Sequence, residues 1–281
     1  MKRIRSQISI RIMLLLTAVI AVVLAYYANG LRKRKVAMQT VVSLGGSGDG
    51  PLEGSEWLRY LLDDDDFFRE ISRLSVSYDT TNYDVKRPIG DIELAAAIDC
   101  LPSPNRLNVL RLDGSAVSDD GLYCLKVLSN LESLSLRKTL ITDAGLQRIT
   151  HCVKLKELNL SQTAIDGRGL RSLARLQQLE QLDLSHTRVT EYELLHLPEL
   201  KNLQGLDLAG TPFLGGGFRF LVAKLPNLEK LDLYGTEIGK NGTAARYFQR
   251  YAEKLICLRE LSLARTQITG GPSISTTLSF A

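Results

Sequence analysis

Three aspartates, Asp183, Asp207 and Asp232, recur at near-constant spacing, each inside the tripeptide Leu-Asp-Leu. Carboxylates in such a series can do general acid–base work, hold a cation, or offer a negative stripe to a basic partner. Acid–base work needs a pocket that pushes one carboxyl group away from its ordinary pKa, and nothing in the flanking sequence supplies one. Four more aspartates, Asp63 to Asp66, are consecutive. A calcium loop alternates its carboxylates around a glycine bend, so this run reads as a solvated turn. Cys100, Cys124, Cys152 and Cys257 form no CxxC pair, and His151, His186 and His196 are scattered. Zinc is therefore not indicated, and the cysteines read as small apolar core residues. GxSxG and HExxH do not occur, nor does the lysine that a phosphate loop needs after its second glycine. The expectation is no catalytic residue, no metal and no cofactor.

What must position these side chains is legible in the rest of the chain. Its 281 residues are 44% hydrophobic and 23% charged, ordinary for globular protein. Aromatics are 6%, so the core must be aliphatic. The net charge of +4 is uneven. The first 35 residues hold eight basic residues and no acidic ones, leaving the remainder with 27 basic against 31 acidic. A nucleic-acid binder carries its positive charge on the folded body, which argues against that partner class. No small-molecule substrate is evident.

Residues 12 to 28, "IMLLLTAVIAVVLAYYA", are uncharged, with four basic residues on either side. Their length is at the short end for a transmembrane helix, and Tyr26 and Tyr27 sit where interfacial aromatics are expected. The rival is a signal peptide cleaved after "VLA" at Val23 to Ala25. "RKRK" at residues 32 to 35 looks like a stop-transfer patch and favours an uncleaved, single-pass anchor. The body is then expected outside the cytoplasm. The division is a basic tail and anchor over residues 1–35, a linker and capping helix over 36–70, and a repeat domain over 71–281. Within the linker, "SLGGSGDGPLEG" reads as a flexible stretch or turn. Ser55 can cap a helix carrying Trp57, Leu58, Leu61 and Leu62, and Phe67 and Phe68 are expected over the open end of the core.

The repeats begin at Leu107, Leu131, Leu155, Leu179, Leu203, Leu228 and Leu258, with an imperfect earlier copy at Ile71. Each opens as LxxLxLxxT, for example "LESLSLRKT", "LKELNLSQT" and "LEQLDLSHT". The fourth and sixth positions share one face of a strand. The second half is expected to be helical. In "ITDAGLQRI", Thr142 suits an N-cap and Asp143 the positive helix start, while Leu146, Ile149 and Cys152 lie on one face. Thr190 and Glu193 form a candidate capping box.

This pattern resembles the leucine-rich repeat family. The "ITDAGL" segment resembles a subtype with a helix on the convex side. The whole layout resembles uncharacterised membrane-anchored leucine-rich repeat proteins of bacteria. The resemblance implies an α/β solenoid, a horseshoe with parallel strands on its concave face and helices on its convex face, preceded by an N-terminal transmembrane helix. One departure is threonine at the ninth position, where the family usually has asparagine or cysteine. Its hydroxyl is expected to bond the backbone of a neighbouring turn.

Positions three, five, seven and eight should point outward on the concave face. The candidate contacts are Arg111, Ser135, Asn159, Asp183, Asp207 and Asp232 at position five, Arg137 and Tyr234 at seven, and His186 and Arg265 at eight. The expected function is recognition of a protein partner through that face. Three other readings stay open: a ubiquitin-ligase-type substrate adaptor, for which residues 36 to 70 offer no F-box, a hydrolase or transferase with a non-standard site, and a structural envelope protein.

Overall fold

The computed structural model describes residues 47–48, 73–75, 89–99, 104–239, 250–251, 254–266 and 277–279. The apolar run over 12–28, the proposed capping helix, Asp63 to Asp66, Phe67, Phe68 and Cys100 lie outside them. Among the described residues no helix is long and apolar enough to cross a membrane.

The leucines of the fourth position stack into a column because each repeat contributes one short strand. These are β2 (Arg73–Ser75), β3 (Val109–Arg111), β4 (Ser133–Ser135), β5 (Glu157–Asn159), β6 (Gln181–Asp183), β7 (Gly205–Asp207), β8 (Lys230–Asp232) and β9 (Glu260–Ser262). They pair in parallel and in register, Leu74 on Leu110, Leu110 on Leu134, and so on to Leu231 on Leu261. β2 confirms the imperfect early copy. Two antiparallel strands close the sheet, β1 (Ser47–Gly48) on β2 and β10 (Thr277–Ser279) on β9. β1 falls within the glycine-rich stretch read as a linker. β10 ends the stack where the sequence shows no cap, and antiparallel closure masks the hydrogen-bonding edge of each terminal repeat.

A single leucine-dominated core runs from Ile89 to Leu263. α1 (Asp91–Asp99) starts it, with Leu94 and Ile98 buried. The coils opposite the sheet depart from the helical expectation. Most are three-ten turns: Gly121–Val127, Ile149–His151, Leu170–Arg175 and Glu193–His196. α2 (Gly145–Arg148) is a single turn. The cause is spacing. The inward residues Leu122, Leu125 and Leu128 recur every third position, as do Leu170, Leu173 and Leu176, and all are fully buried. A period of three fits three residues per turn, not 3.6. The fifth repeat has one residue more. There Phe218, Leu221 and Leu225 are spaced three and four apart, and the segment winds as α3 (Phe218–Lys224).

The acid of the "TD" pair does not cap its own helix. Asp119 accepts the N–H of Thr142 at 2.8 Å and its hydroxyl at 2.5 Å, one repeat further on. Asp143 likewise accepts from Asp166, Gly167 and Gly169 N–H, and Asp91 from Ser118. Glu191 accepts the N–H groups of Leu214 and Gly216. The capping box is absent: Glu193 faces His196 at 3.5 Å, and no side chain caps that turn.

The glycine of the motif follows from the same contact. A Cβ on Gly121 or Gly145 would meet the preceding carboxylate at 2.2 or 2.4 Å, and one on Gly169 the backbone oxygen of Asp143 at 2.6 Å. The fourth repeat reverses the arrangement. The preceding coil has Gly167 in place of the acid, and Glu193 stands where the glycine would be, its Cβ 2.6 Å from where a Cβ on Gly167 would lie.

Threonine at position nine also corrects an expectation. Thr139, Thr163, Thr187, Thr211 and Thr236 donate to the carbonyl three residues back, within their own coil. Side-chain amides linking coil to coil include Asn130, Asn202 and Asn227 at repeat ends, each bonding the backbone of the preceding coil, and Gln177, which bonds the Glu199 carbonyl of the following one.

Candidate functional site

The exposed face of the sheet is hollowed into a trough of about 540 Å³, running from Arg111 to Ser262. Strand alternation builds it. The fourth and sixth side chains point into the core, so the third and fifth stand on the open side. Of the residues expected there, Arg111, Ser135, Arg137, Asn159, Asp183, Asp207 and Asp232 line the trough. The third position supplies lining residues that the candidate set omits, chiefly Ser133, Glu157, Gln181, Lys230 and Glu260. Their period-two placement was the available signal, but no recurring letter marks the column.

His186, Tyr234 and Arg265 do not line it. The eighth position is a left-handed corner in each of the seven repeats from Leu107 onward: φ is 56° at Lys138, 57° at Gln162, 53° at His186 and 58° at Arg265, with Gly114, Gly210 and Gly235 in the same region. Three glycines in that column were the sequence signal. The corner turns the chain off the sheet, so Ser161, Ser185 and Ala209 at position seven are buried, not outward. Arg265 instead lies 5.5 Å from the ring of Tyr234. His186 lies against Gly210, where a Cβ would meet its Nδ1 at 2.4 Å.

Position five ends each strand. Asn159, Asp183, Asp207 and Asp232 each accept the backbone N–H two residues ahead, at 2.8 to 2.9 Å. Ser135 donates to Asp113. The acids thus serve the turn as well as the surface. Asp183 and Asp207 are direct strand partners, as are Asp207 and Asp232. Burial, with both neighbouring carboxylates adding to it, lifts Asp207 from 3.8 to about 6 against the N–H of Ala209. At position three, Ser133 donates to Glu157 at 2.9 Å and Lys230 pairs with Glu260 at 2.9 Å.

Among the described residues no group of three His, Cys, Asp or Glu side chains is placed to hold a metal. Cys124 and Cys152 are pushed up to about 11 by burial. They are protonated at neutral pH and poor nucleophiles. The described cysteines form no disulfide.

One strand per coil, in-register leucines and an open polar face define a solenoid of parallel-strand repeats. Residues 129–189 match the family model for the leucine rich repeat. No curated protein matches the chain. Among solved structures, the crystal structure of internalin C2 from Listeria monocytogenes str. 4b F2365 is 20% identical, covering 84% of this chain and 85% of that one at a TM-score of 0.49.

Proposed function

We propose that this chain is a non-enzymatic scaffold that recognises a protein partner through the trough. The observation that supports this is one open strip of third- and fifth-position side chains, continuous from Arg111 to Ser262. Leucine packing is confined to the opposite side of each strand, so the third-position side chains can vary with little cost to the core. Rigid, extended faces of this kind suit protein partners. We propose further that residues 12 to 28 anchor the chain in a membrane and that the repeats are of the ITDxGL kind, with the body outside the cytoplasm. The anchor is supported by the uncharged run with basic residues on either side, and the repeat kind by "ITDAGL" at residues 141 to 146; the orientation follows from large domains translocating regardless of nearby charge.

Site-specific photo-crosslinking in native membranes tests the recognition face. A crosslinker at Ser133 or Gln181 should capture one common partner, and the same group at Gln147, on the outer side, should not. Glu157→Lys, at an exposed trough position, should reduce that capture. Capture from Gln147 alone would place recognition on the other side of the solenoid.

A further inference from the structure

The outer side of the first three coils is charged in the opposite sense to the trough. The trough is lined by six carboxylates and three cations. The outer segments 122–130, 146–154 and 170–178 together carry Lys126, Arg148, Lys154, Arg171 and Arg175, all exposed, and no carboxylate. None of the five is held in a salt bridge among the described residues. The three-residue turn enforces this arrangement: every third side chain goes inward, and those between go to solvent.

Apolar groups stand among these charges. Tyr123 is 57% exposed, Val153 48% and Val127 37%. The Tyr123 ring has Lys126 Nζ at 4.1 Å and the Arg148 guanidinium at 5.6 Å, from its own coil and the next. Cations for phosphate groups, with an aromatic and short aliphatic side chains between them, match the interfacial layer of a bilayer. Single-stranded nucleic acid fits less well, because base stacking needs a free aromatic face and this ring is already occupied by two cations.

We infer that the outer side of repeats one to three docks on an anionic lipid surface, which would leave the trough turned away from the membrane. The inference rests on the anchor reading only for the tether that would hold the body near a bilayer.

The test uses the full chain with Trp57→Phe, so that one introduced tryptophan reports. Val153→Trp marks the outer side and Ser133→Trp the trough. Each protein is reconstituted into brominated phosphatidylcholine vesicles, with or without phosphatidylserine. The Val153→Trp emission should be quenched only with phosphatidylserine and should recover at high salt, while Ser133→Trp stays unquenched. Reversing Arg148, Arg171 and Arg175 to Glu, with an unchanged unfolding curve, should weaken docking at least about tenfold. Absence of quenching at Val153→Trp, equal quenching in neutral vesicles, or reversal of quenching by polyuridylate but not by salt would overturn the inference. A chain that floats with phosphatidylserine vesicles but not with neutral ones would refute the anchor and support the docking face.

Discussion

The carboxylate of Asp143 accepts the N–H of Gly169 at 2.6 Å, across the boundary between two coils. It also takes the N–H groups of Asp166 at 2.8 Å and Gly167 at 3.1 Å. The start of one coil is thus secured by the coil before it. Removing the acid strands three donors, two of them on buried glycines. Asp143→Ala should cost about 2 kcal/mol in urea unfolding, and Asp143→Asn, which keeps one acceptor oxygen, roughly half of that. A loss below a few tenths would show that water replaces the carboxylate.

Gly169 has the complementary requirement. Its added Cβ would face the Asp143 carbonyl oxygen at 2.6 Å, and backbone cannot swing aside as a side chain can. Gly169→Ala should lower stability by about 2 kcal/mol. The measurement is a shift in the urea midpoint, and an unchanged midpoint would contradict the close approach.

Asp207 predicts a pH effect of definite sign. Its folded value is raised from 3.8 to about 6, mainly by burial. The folded state therefore holds more protons between those values, and its stability falls as pH rises through that window. Asp207→Asn keeps the oxygen that accepts Ala209 N–H. It should stabilise the protein by about 1 kcal/mol at pH 7, after allowance for partial exposure, and should give no gain below pH 4. A gain independent of pH would point to packing instead of charge.

The left-handed corner at position eight holds Gln162 at φ 57°. An L side chain there carries a steric cost that glycine avoids. Gln162→Gly should be neutral to stabilising, by about 0.5 kcal/mol after the entropy glycine adds to the unfolded chain. Gln162→Val should lose about 2 kcal/mol, since a β-branched residue tolerates this region least. Thermal unfolding of the pair gives the sign directly.

Leu158 is 2% exposed in the middle of the leucine column. Leu158→Ala should cost about 3 kcal/mol. Because each coil is stabilised by its neighbours, hydrogen exchange should quicken in the adjoining strands too. Loosening confined to residues 155–163 would show that the coils are energetically separate.

The near-constant interval of leucines was sufficient to determine the repeat, the strand in each copy and the burial of its fourth and sixth residues. Strand periodicity also placed the fifth-position residues from Arg111 to Asp232 on the open face. These are properties of local pattern, because a coil with one apolar side has one way to hide it. What tertiary structure alone decided lies between coils. The destination of Asp143, the room that Gly169 leaves, and the exchange of those roles at Gly167 and Glu193 depend on atoms about one repeat away in the chain. The three-residue winding of the outer turns follows from the every-third spacing of the inward residues, a period that in the sequence alone reads as an α-helix, and one extra residue before Leu225 suffices to change it. Contacts between layers carry no local signature, so the left-handed corner at position eight, marked in the sequence only by Gly114, Gly210 and Gly235, took its meaning once the coils were stacked.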